Sequence, residues 1–430
     1  MAPRAEPLTM AEAIAERARA VKEVFEDSKL VERIRDFAHS VHPHELKRKL
    51  IDHFKDKARR LEGRRDEESR RMREWYERLV RRIEATEWIG KLSAIRDPTE
   101  ETLITGSDAS HDMIELLFYA GYIPLTIRAG VVSYVCVPLE FKVEEPRWCD
   151  PIRKPEFPFV GSPYLREFTY EPTGEEEGGV INTILMNTVQ FMADKELILD
   201  QRPGIHFHDG RLIPPHPHYL DFKPTTRRKY LWRCFSSAVE LKREARDNKC
   251  ELVGVVKKTH PEAQVLAHVV SMLLEEFMGR DYSGLLTDNE LAAASLLLGE
   301  EQVSWVIVTN LKSVYLPPEE EKSARRVLED DYDLYIRRLE ELSYATFYCV
   351  HRAGTARYDM FNYGDLIARR DRIASYANAI ASPLTGHQYE VGRHSVAVPS
   401  VVSVADSEAR AWAKRVADII AEHIRHRLAG

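Results

Sequence analysis

Residues 102–112, TLITGSDASHD, join a short apolar run to a polar stretch that contains Asp108 and Asp112. The run TLITG has the composition of a β-strand, and the residues after it predict a small turn that carries Asp108. Residues 204–212, GIHFHDGRL, have the same form and bring Asp209 into a glycine turn. An aspartate in such a turn usually serves the turn itself, because its carboxylate accepts hydrogen bonds from nearby backbone N–H groups. The repeated form raises a second interpretation, in which two strands present their carboxylates together.

Length and composition limit the classes of protein that fit. A chain of 430 residues with 44% hydrophobic content can bury a large core, and its length suggests two or three structural units. No apolar segment approaches the roughly 20 residues that span a bilayer, and the first residues lack the apolar region of a signal peptide. We therefore expect a cytoplasmic protein without membrane association. The five cysteines contain no CxxC pair, which argues against a disulfide framework and a thiolate zinc site.

Three zones follow one another along the chain. From Thr9 to about Glu87 the sequence is nearly free of Gly and Pro and has helical spacing, which predicts a long helical arm. Strand-like and helical runs then alternate, which predicts an α/β core. The last helix is expected to begin near Asp406 and to dock on that core. The predicted division is a helical arm at 1–95, a core at 96–400 with an insertion near 141–178, and a C-terminal docking helix at 401–430.

Basic residues crowd the predicted arm although the whole chain carries a formal charge of −7. They are Lys47, Arg48, Lys49, Lys55, Lys57, Arg59, Arg60, Arg64, Arg65, Arg70, Arg71 and Arg73. Acidic residues are interleaved with them, so the pattern favours a solvated helix face with many ion pairs. Contact with nucleic-acid phosphates is the alternative, because it needs only a local basic patch.

The paired aspartates have a possible chemical use. Divalent ions such as Mg²⁺ and Mn²⁺ prefer oxygen ligands, and strand-borne carboxylates at Asp108 and Asp209 would hold them rigidly. Such an ion activates water and stabilises the charge that develops on a phosphodiester under attack. Lys257 follows a third strand-like run in VGVVKKT and offers a cation at the same end of the sheet.

The order of four motifs resembles the NurA nuclease family. They are GSDAS, HDGRL, VGVVKKT and PLTGHQYEVGRHSVAV, and together they extend over residues 102–398. The resemblance implies an RNase H-like α/β core with a mixed sheet, and DNA degradation that depends on Mn²⁺ or Mg²⁺. It also implies a homodimer that works with a hexameric HerA-type translocase in the processing of DNA ends.

The resemblance also assigns roles to individual residues. It makes Asp108 and Asp209 metal ligands, Lys257 the cation beside the phosphate, His394 the late histidine and Tyr389 its accompanying tyrosine. His387 is an alternative register for that histidine.

The family's metal-binding glutamate has no direct counterpart in the helix before Asp209. The best register puts Gln190 there, and a neutral amide is a poorer ligand for Mn²⁺ than a carboxylate. Either Glu196 or Glu177 takes the role through a shifted register, or the site is weakened. We adopt Glu196 as the expected third ligand. A weakened relative that only binds DNA ends or acts as a scaffold is the alternative function.

Two further patterns leave alternatives open. His206 and His208 flank the second motif, and His216 and His218 follow it, so a zinc hydrolase is conceivable. Surface or substrate-lining histidines are the favoured interpretation of these pairs. The basic residues before Trp232 could contact single-stranded DNA, or the aromatic residues there could anchor a core. The candidate DNA-binding residues are Arg227, Arg228 and Lys229.

Overall fold

The structure is a computed structural model, and it describes most of the chain. The described residues are 15, 19, 26–112, 115–116, 119–120, 125–136, 140–144, 175–214, 231–257, 265–279, 281, 299, 301–316, 318–383 and 396–429. The described helices are α1 (Ser28–Ser40), α2 (Pro43–Arg60), α3 (Glu67–Glu84), α4 (Glu175–Gln201), α5 (Trp232–Asp247), α6 (Val265–Met278), α7 (Leu311–Tyr315), α8 (Pro318–Leu328), α9 (Tyr332–Glu341), α10 (Leu366–Ala379) and α11 (Ser400–Ala429).

Most of the described strands belong to one large mixed sheet. The strands are β1 (Thr86–Ile89), β2 (Ser93–Ala94), β3 (Thr102–Asp112), β4 (Glu115–Leu116), β5 (Tyr119–Ala120), β6 (Leu125–Cys136), β7 (Glu140–Glu144), β8 (Ile205–Asp209), β9 (Glu251–Val256), β10 (Gln302–Val303), β11 (Val306–Thr309), β12 (Tyr344–His351), β13 (Gly354–Phe361), β14 (Ala381–Pro383) and β15 (Ala397–Pro399). The order across the sheet is β1-β11-β12-β13-β9-β8-β3-β6-β7. The β3–β8 and β8–β9 pairs are parallel, and the other neighbours in this order are antiparallel. The chain therefore has a mixed α/β fold, as the alternation of its sequence predicts.

The central strands are buried on both sides. All residues of β9 and of β13 are buried, and β12 is buried except for its first residue. Helices cover both faces of the sheet here, which explains the nearly continuous apolar sequence of β9. In β13 the polar residues Thr355, Arg357 and Asp359 alternate with the others, yet they too are buried. No helix among the described residues has the length and apolarity needed to cross a bilayer.

The N-terminal helices fold onto the sheet and do not extend from it as an arm. Phe54 on α2 and Ile83 on α3 belong to one buried cluster with Trp88 on β1 and Trp305 next to β11. The apolar residues of these helices recur at helical spacing, which gives each helix one stripe that must be covered. Directly after α3 the chain enters the sheet as β1, which pairs with β11.

The charged face of these helices agrees with the ion-pair interpretation. Arg60 pairs with Asp56, and Glu67 pairs with both Arg70 and Arg71, all on exposed side chains. These three arginines are therefore neutralised locally, and each exposed pair contributes only about 0.2–1 kcal/mol to stability.

The last helix, α11, begins earlier than expected and lies against β3 and β8, the strands that carry Asp108 and Asp209. It starts at Ser400, immediately after β15, and not near Asp406. Val401 and Val402 are fully buried in a cluster with Ile205 and Phe207 of β8. A side chain at Gly106 of β3 would meet the Val401 backbone at 2.9 Å, so the glycine permits this close approach.

Candidate metal centre

Asp108 lies inside a long strand and not in a turn. The sequence predicted that the strand would end before it, but β3 continues to Asp112 because β6 pairs with it throughout, from Thr102 to Asp112. The side chains of a strand alternate between the two faces, so Asp108 shares a face with Ile104 and Gly106, towards α11. Asp108 is 8% exposed.

Asp209 is the last residue of β8, and a glycine turn follows it as predicted. Gly210 has φ +122°, which a residue with a side chain rarely adopts, and its N–H donates to Val255 O at 3.0 Å. Because β3, β8 and β9 are parallel neighbours, Asp209 comes next to Asp108. Lys257 follows β9 at the same end of the sheet, as the motif order suggested.

A third carboxylate completes the group, and sequence reasoning missed it. Asp108, Asp209 and Asp406 each offer an oxygen within 4.8 Å of the others. Asp406 lies on α11, one turn after the buried Val402, so the apolar face of the helix carries it to the sheet. The spacing of Val402 and Asp406 in VVSVAD was the available signal. Because the prediction started the helix near Asp406, Val402 was placed before the helix and the shared face of the two residues was missed.

Lys257 provides the positive charge of the group. Its Nζ lies 2.5 Å from Asp209 Oδ2 and 4.0 Å from Asp406 Oδ2. The second Asp406 oxygen pairs with Arg410 Nε at 3.0 Å, and that arginine is largely exposed. One ammonium therefore partly offsets three crowded carboxylates.

The electrostatics of this group favour a bound cation. Burial, the neighbouring charge of Asp209 and a hydrogen bond with Asp406 raise the pKa of Asp108 from 3.8 to about 8. Burial also raises the pKa of Asp209, and the Lys257 ammonium opposes that rise. Asp108 and Asp209 therefore cannot both ionise easily without more positive charge. An all-oxygen donor set with excess negative charge fits Mg²⁺ or Mn²⁺, and does not suit a metal that prefers thiolates.

Gln190 supports Asp209 from behind. It is buried on α4, and its side-chain Nε2 donates to the backbone oxygen of Asp209 at 3.1 Å. Glu196 is partly exposed on the same helix and is not a member of the three-carboxylate group. Glu177 also lies on α4, but its side chain is outside the described part of the structure.

Several residues named from the sequence lie outside the described residues. They are His387, Tyr389 and His394 from the last motif, His216 and His218, and the basic residues Arg227, Arg228 and Lys229. Their expected roles remain predictions.

The described histidine pair is buried and does not line a surface. His206 and His208 are fully enclosed and share one face of β8, as their spacing predicts, but both contact the carboxylate of Asp194. The favoured surface interpretation is therefore wrong for this pair. Within the described ranges, the group able to hold a metal does not include these histidines, so the zinc alternative gains no ligand set from them.

The aromatic residues after the basic run anchor a core. Phe235 is fully buried, and Trp232 packs edge-on against Tyr335 at a ring-centroid distance of 5.2 Å. These two aromatic rings are therefore used inside the protein, which favours the core interpretation over stacking on DNA bases.

No family model matches the chain, and no curated protein matches it in sequence. In structure the chain is similar to a solved protein described as the NurA nuclease from Sulfolobus solfataricus. The similarity covers 79% of this chain and 88% of that chain, with 10% sequence identity and a TM-score of 0.41. A TM-score this low assigns neither family nor activity. The chemistry proposed below therefore depends on the residues of the site itself.

Proposed function

We propose that this chain is a divalent-metal-dependent phosphodiester hydrolase that acts on DNA, with Asp108, Asp209 and Asp406 as metal ligands. The observation that carries the proposal is the convergence of three carboxylates within 4.8 Å of one another beside Lys257. Two of them come from adjacent parallel strands and the third from a packed helix, so the protein holds the ligands rigidly. Rigid oxygen ligands suit the hard divalent ions used in phosphoryl chemistry.

Each residue of the group has a distinct task. When bound at these oxygens, Mn²⁺ or Mg²⁺ would activate water and offset charge on the scissile phosphate. Asp108 holds a proton near neutral pH and would release it on becoming a metal ligand. Lys257 opposes the rise that burial causes in the pKa of Asp209, and its ammonium is placed to donate a hydrogen bond to a phosphate oxygen. Asp406 would supply the third carboxylate, the role that the family resemblance gave to a glutamate.

The finer parts of the proposal come from the order of the sequence motifs. They are Mn²⁺ as a preferred ion, an RNase H-like core, a homodimer, a HerA-type translocase as partner, and action on DNA ends. Sedimentation of the purified chain tests the dimer, and co-purification with a HerA-type ATPase tests the partnership. A monomer at micromolar concentration that does not associate with the ATPase would contradict both.

The experiment that tests the activity compares Asp406→Asn with Asp418→Asn. Both residues are on α11, but Asp418 is exposed and outside the carboxylate group. We expect the wild type and Asp418→Asn to digest linear single- or double-stranded DNA with Mn²⁺ and to stop with EDTA. We expect Asp406→Asn to lose the activity by about 100-fold or more, since a site with few ligands loses one.

Two other outcomes would contradict the proposal. Digestion by Asp406→Asn at the wild-type rate would remove Asp406 from the site. A wild type that binds DNA ends without digesting them, at any concentration of Mn²⁺ or Mg²⁺, would favour the alternative of a weakened relative that acts as a binding or scaffold protein.

A further inference from the structure

A buried polar cluster lies on the sheet face opposite the carboxylate group. Its centre is Asp194 on α4, whose side chain is fully enclosed. The carboxylate accepts hydrogen bonds from Ser107 Oγ on β3 and from His208 Nδ1 on β8, the second at 2.5 Å. His206 Nε2 lies 3.2 Å from Asp194 Oδ1, the same oxygen that accepts from Ser107. Thr105 Oγ1 completes the cluster at 2.8 Å from His206 Nδ1.

The chemistry of the cluster determines its proton positions. A carboxylate only accepts hydrogen bonds, so each imidazole turns an N–H towards Asp194. His206 then accepts from the Thr105 hydroxyl through its other nitrogen. One buried charge is therefore satisfied by three donors from two neighbouring strands, which favours a single arrangement of the cluster. Among the described residues, His208 Nε2 has no hydrogen-bond partner, so His208 is held through Nδ1 alone.

The cluster lies where the pairing of β3 with β8 ends. The parallel register of β3 and β8 ends at Ser107 and His208, and the next residues are Asp108 and Asp209. Asp194 thus binds both strands at their last paired position. It does so from behind, because alternation sends the Ser107 and His208 side chains to the opposite face from the two aspartates.

Helix α4 holds the same strand end at a second point. Gln190 precedes Asp194 by four residues, so the two lie on one face of the helix. Its amide donates to the Asp209 backbone oxygen at 3.1 Å. Two side chains of α4 therefore fix the position of Asp209. Asp194 binds His208, the residue before Asp209, and Gln190 binds the backbone oxygen of Asp209 itself.

We infer that Asp194 is a positioning residue for the metal centre, which holds Ser107 and His208 and thereby sets the separation of Asp108 and Asp209. The inference deepens the proposed function and rests on it. A metal site needs its ligands at fixed positions, and loss of a supporting partner behind the ligands typically lowers metal affinity or activity about 10- to 100-fold.

The test compares Asp194→Asn with a matched control, Asp359→Asn. Asp359 is also a fully buried carboxylate of the sheet, and it pairs with Arg357 Nε at 3.1 Å and Thr346 Oγ1 at 2.7 Å. Titration calorimetry with Mn²⁺ alone measures affinity in the full chain. We expect a loss of about 10-fold or more in Asp194→Asn and less than about twofold in Asp359→Asn, with both variants less stable to heat.

A kinetic measurement separates positioning from a general loss of folding. The Mn²⁺ concentration that half-saturates DNA digestion should rise by about 10-fold in Asp194→Asn, whereas Asp359→Asn should lower only the amount of active protein. If Asp194→Asn does not fold, Ser107→Ala removes one of its donors and should weaken Mn²⁺ binding by about threefold or more.

The possible failures are distinguishable. Wild-type Mn²⁺ affinity in both Asp194→Asn and Ser107→Ala would overturn the positioning role and leave the proposed function intact. A wild type that binds no Mn²⁺ would overturn the proposed function and this inference together. Equal losses of affinity in Asp194→Asn and Asp359→Asn would also overturn it, because the effect would then belong to any buried carboxylate.

Discussion

The Lys257 ammonium lies 2.5 Å from the Asp209 carboxylate, and both side chains are largely buried. Burial of the pair makes the removal of one partner more damaging than the loss of a surface ion pair, because the remaining charge is left uncompensated. The relationship also connects two strand ends that are separate in the sequence. Substitution of Lys257 should therefore affect both the stability and the activity of the protein.

We expect Lys257→Met to lower DNA digestion by about 100-fold and the free energy of unfolding by about 1–3 kcal/mol without metal. Lys195→Met is the control, since its pair with Glu240 is more exposed and should contribute about 1 kcal/mol or less. Urea unfolding and digestion rates measure the two effects. An active Lys257→Met variant would show that the ammonium is not needed beside the phosphate.

Gln190→Glu is expected to reduce activity, although the family resemblance alone suggested that it could restore a ligand. The substitution removes the amide that donates to the Asp209 backbone oxygen and sets a carboxylate against that oxygen. We expect a loss of about 1–3 kcal/mol in stability. Glu196→Gln should keep the wild-type digestion rate, because Glu196 lies outside the carboxylate group. A faster Gln190→Glu, or an inactive Glu196→Gln, would reverse this assignment of ligands.

Metal affinity should depend on pH through Asp108. Its pKa of about 8 means that the metal-free site holds a proton at neutral pH, and a metal must displace it. Mn²⁺ affinity should therefore rise by up to about 10-fold per pH unit below pH 8 and level off above it. Calorimetric titrations between about pH 6 and about pH 9 measure this dependence. A flat profile would contradict the raised pKa.

The same proton gives a stability effect of defined sign. Between the ordinary carboxyl pKa of 3.8 and about 8, folded Asp108 keeps a proton that the unfolded chain has released. The folded state thus binds more protons, and the free energy of unfolding of the metal-free protein should fall as pH rises, by about 1 kcal/mol per unit. In Asp108→Asn this fall should be smaller, which urea unfolding at several pH values would measure.

Gly106→Ala should disturb the site through the packing of α11. The added carbon would meet the Val401 backbone at 2.9 Å, and backbone cannot move as a side chain does. We expect a stability loss of about 1–3 kcal/mol and a fall in Mn²⁺ affinity, because α11 carries Asp406. Gly63→Ala is the control. Gly63 has φ +82°, so an alanine there is strained, but no atom lies within 4 Å of the added carbon. It should lose stability without changing Mn²⁺ affinity.

Local sequence determined much of the sheet and part of the site. The runs ELVGVV and YATFYCVH are strands over the expected residues, β9 and β12, because buried strands need apolar and β-branched side chains on both faces. The order of three motifs also indicated that Asp108, Asp209 and Lys257 would meet. This inference needs only parallel neighbouring strands, whose corresponding ends lie at one edge of a sheet.

Tertiary structure decided the features for which the partner lies far away in the chain. The stretch TLITGSDASHD has Gly, Ser and Asp that favour a turn, yet pairing with β6 extends it as a strand through Asp112, since ladder hydrogen bonds outweigh local preference. The period of a helix shows which face is buried, but it does not show what covers that face. Asp406 and Asp194 therefore became visible only when α11 and α4 were packed on opposite faces of the same two strands.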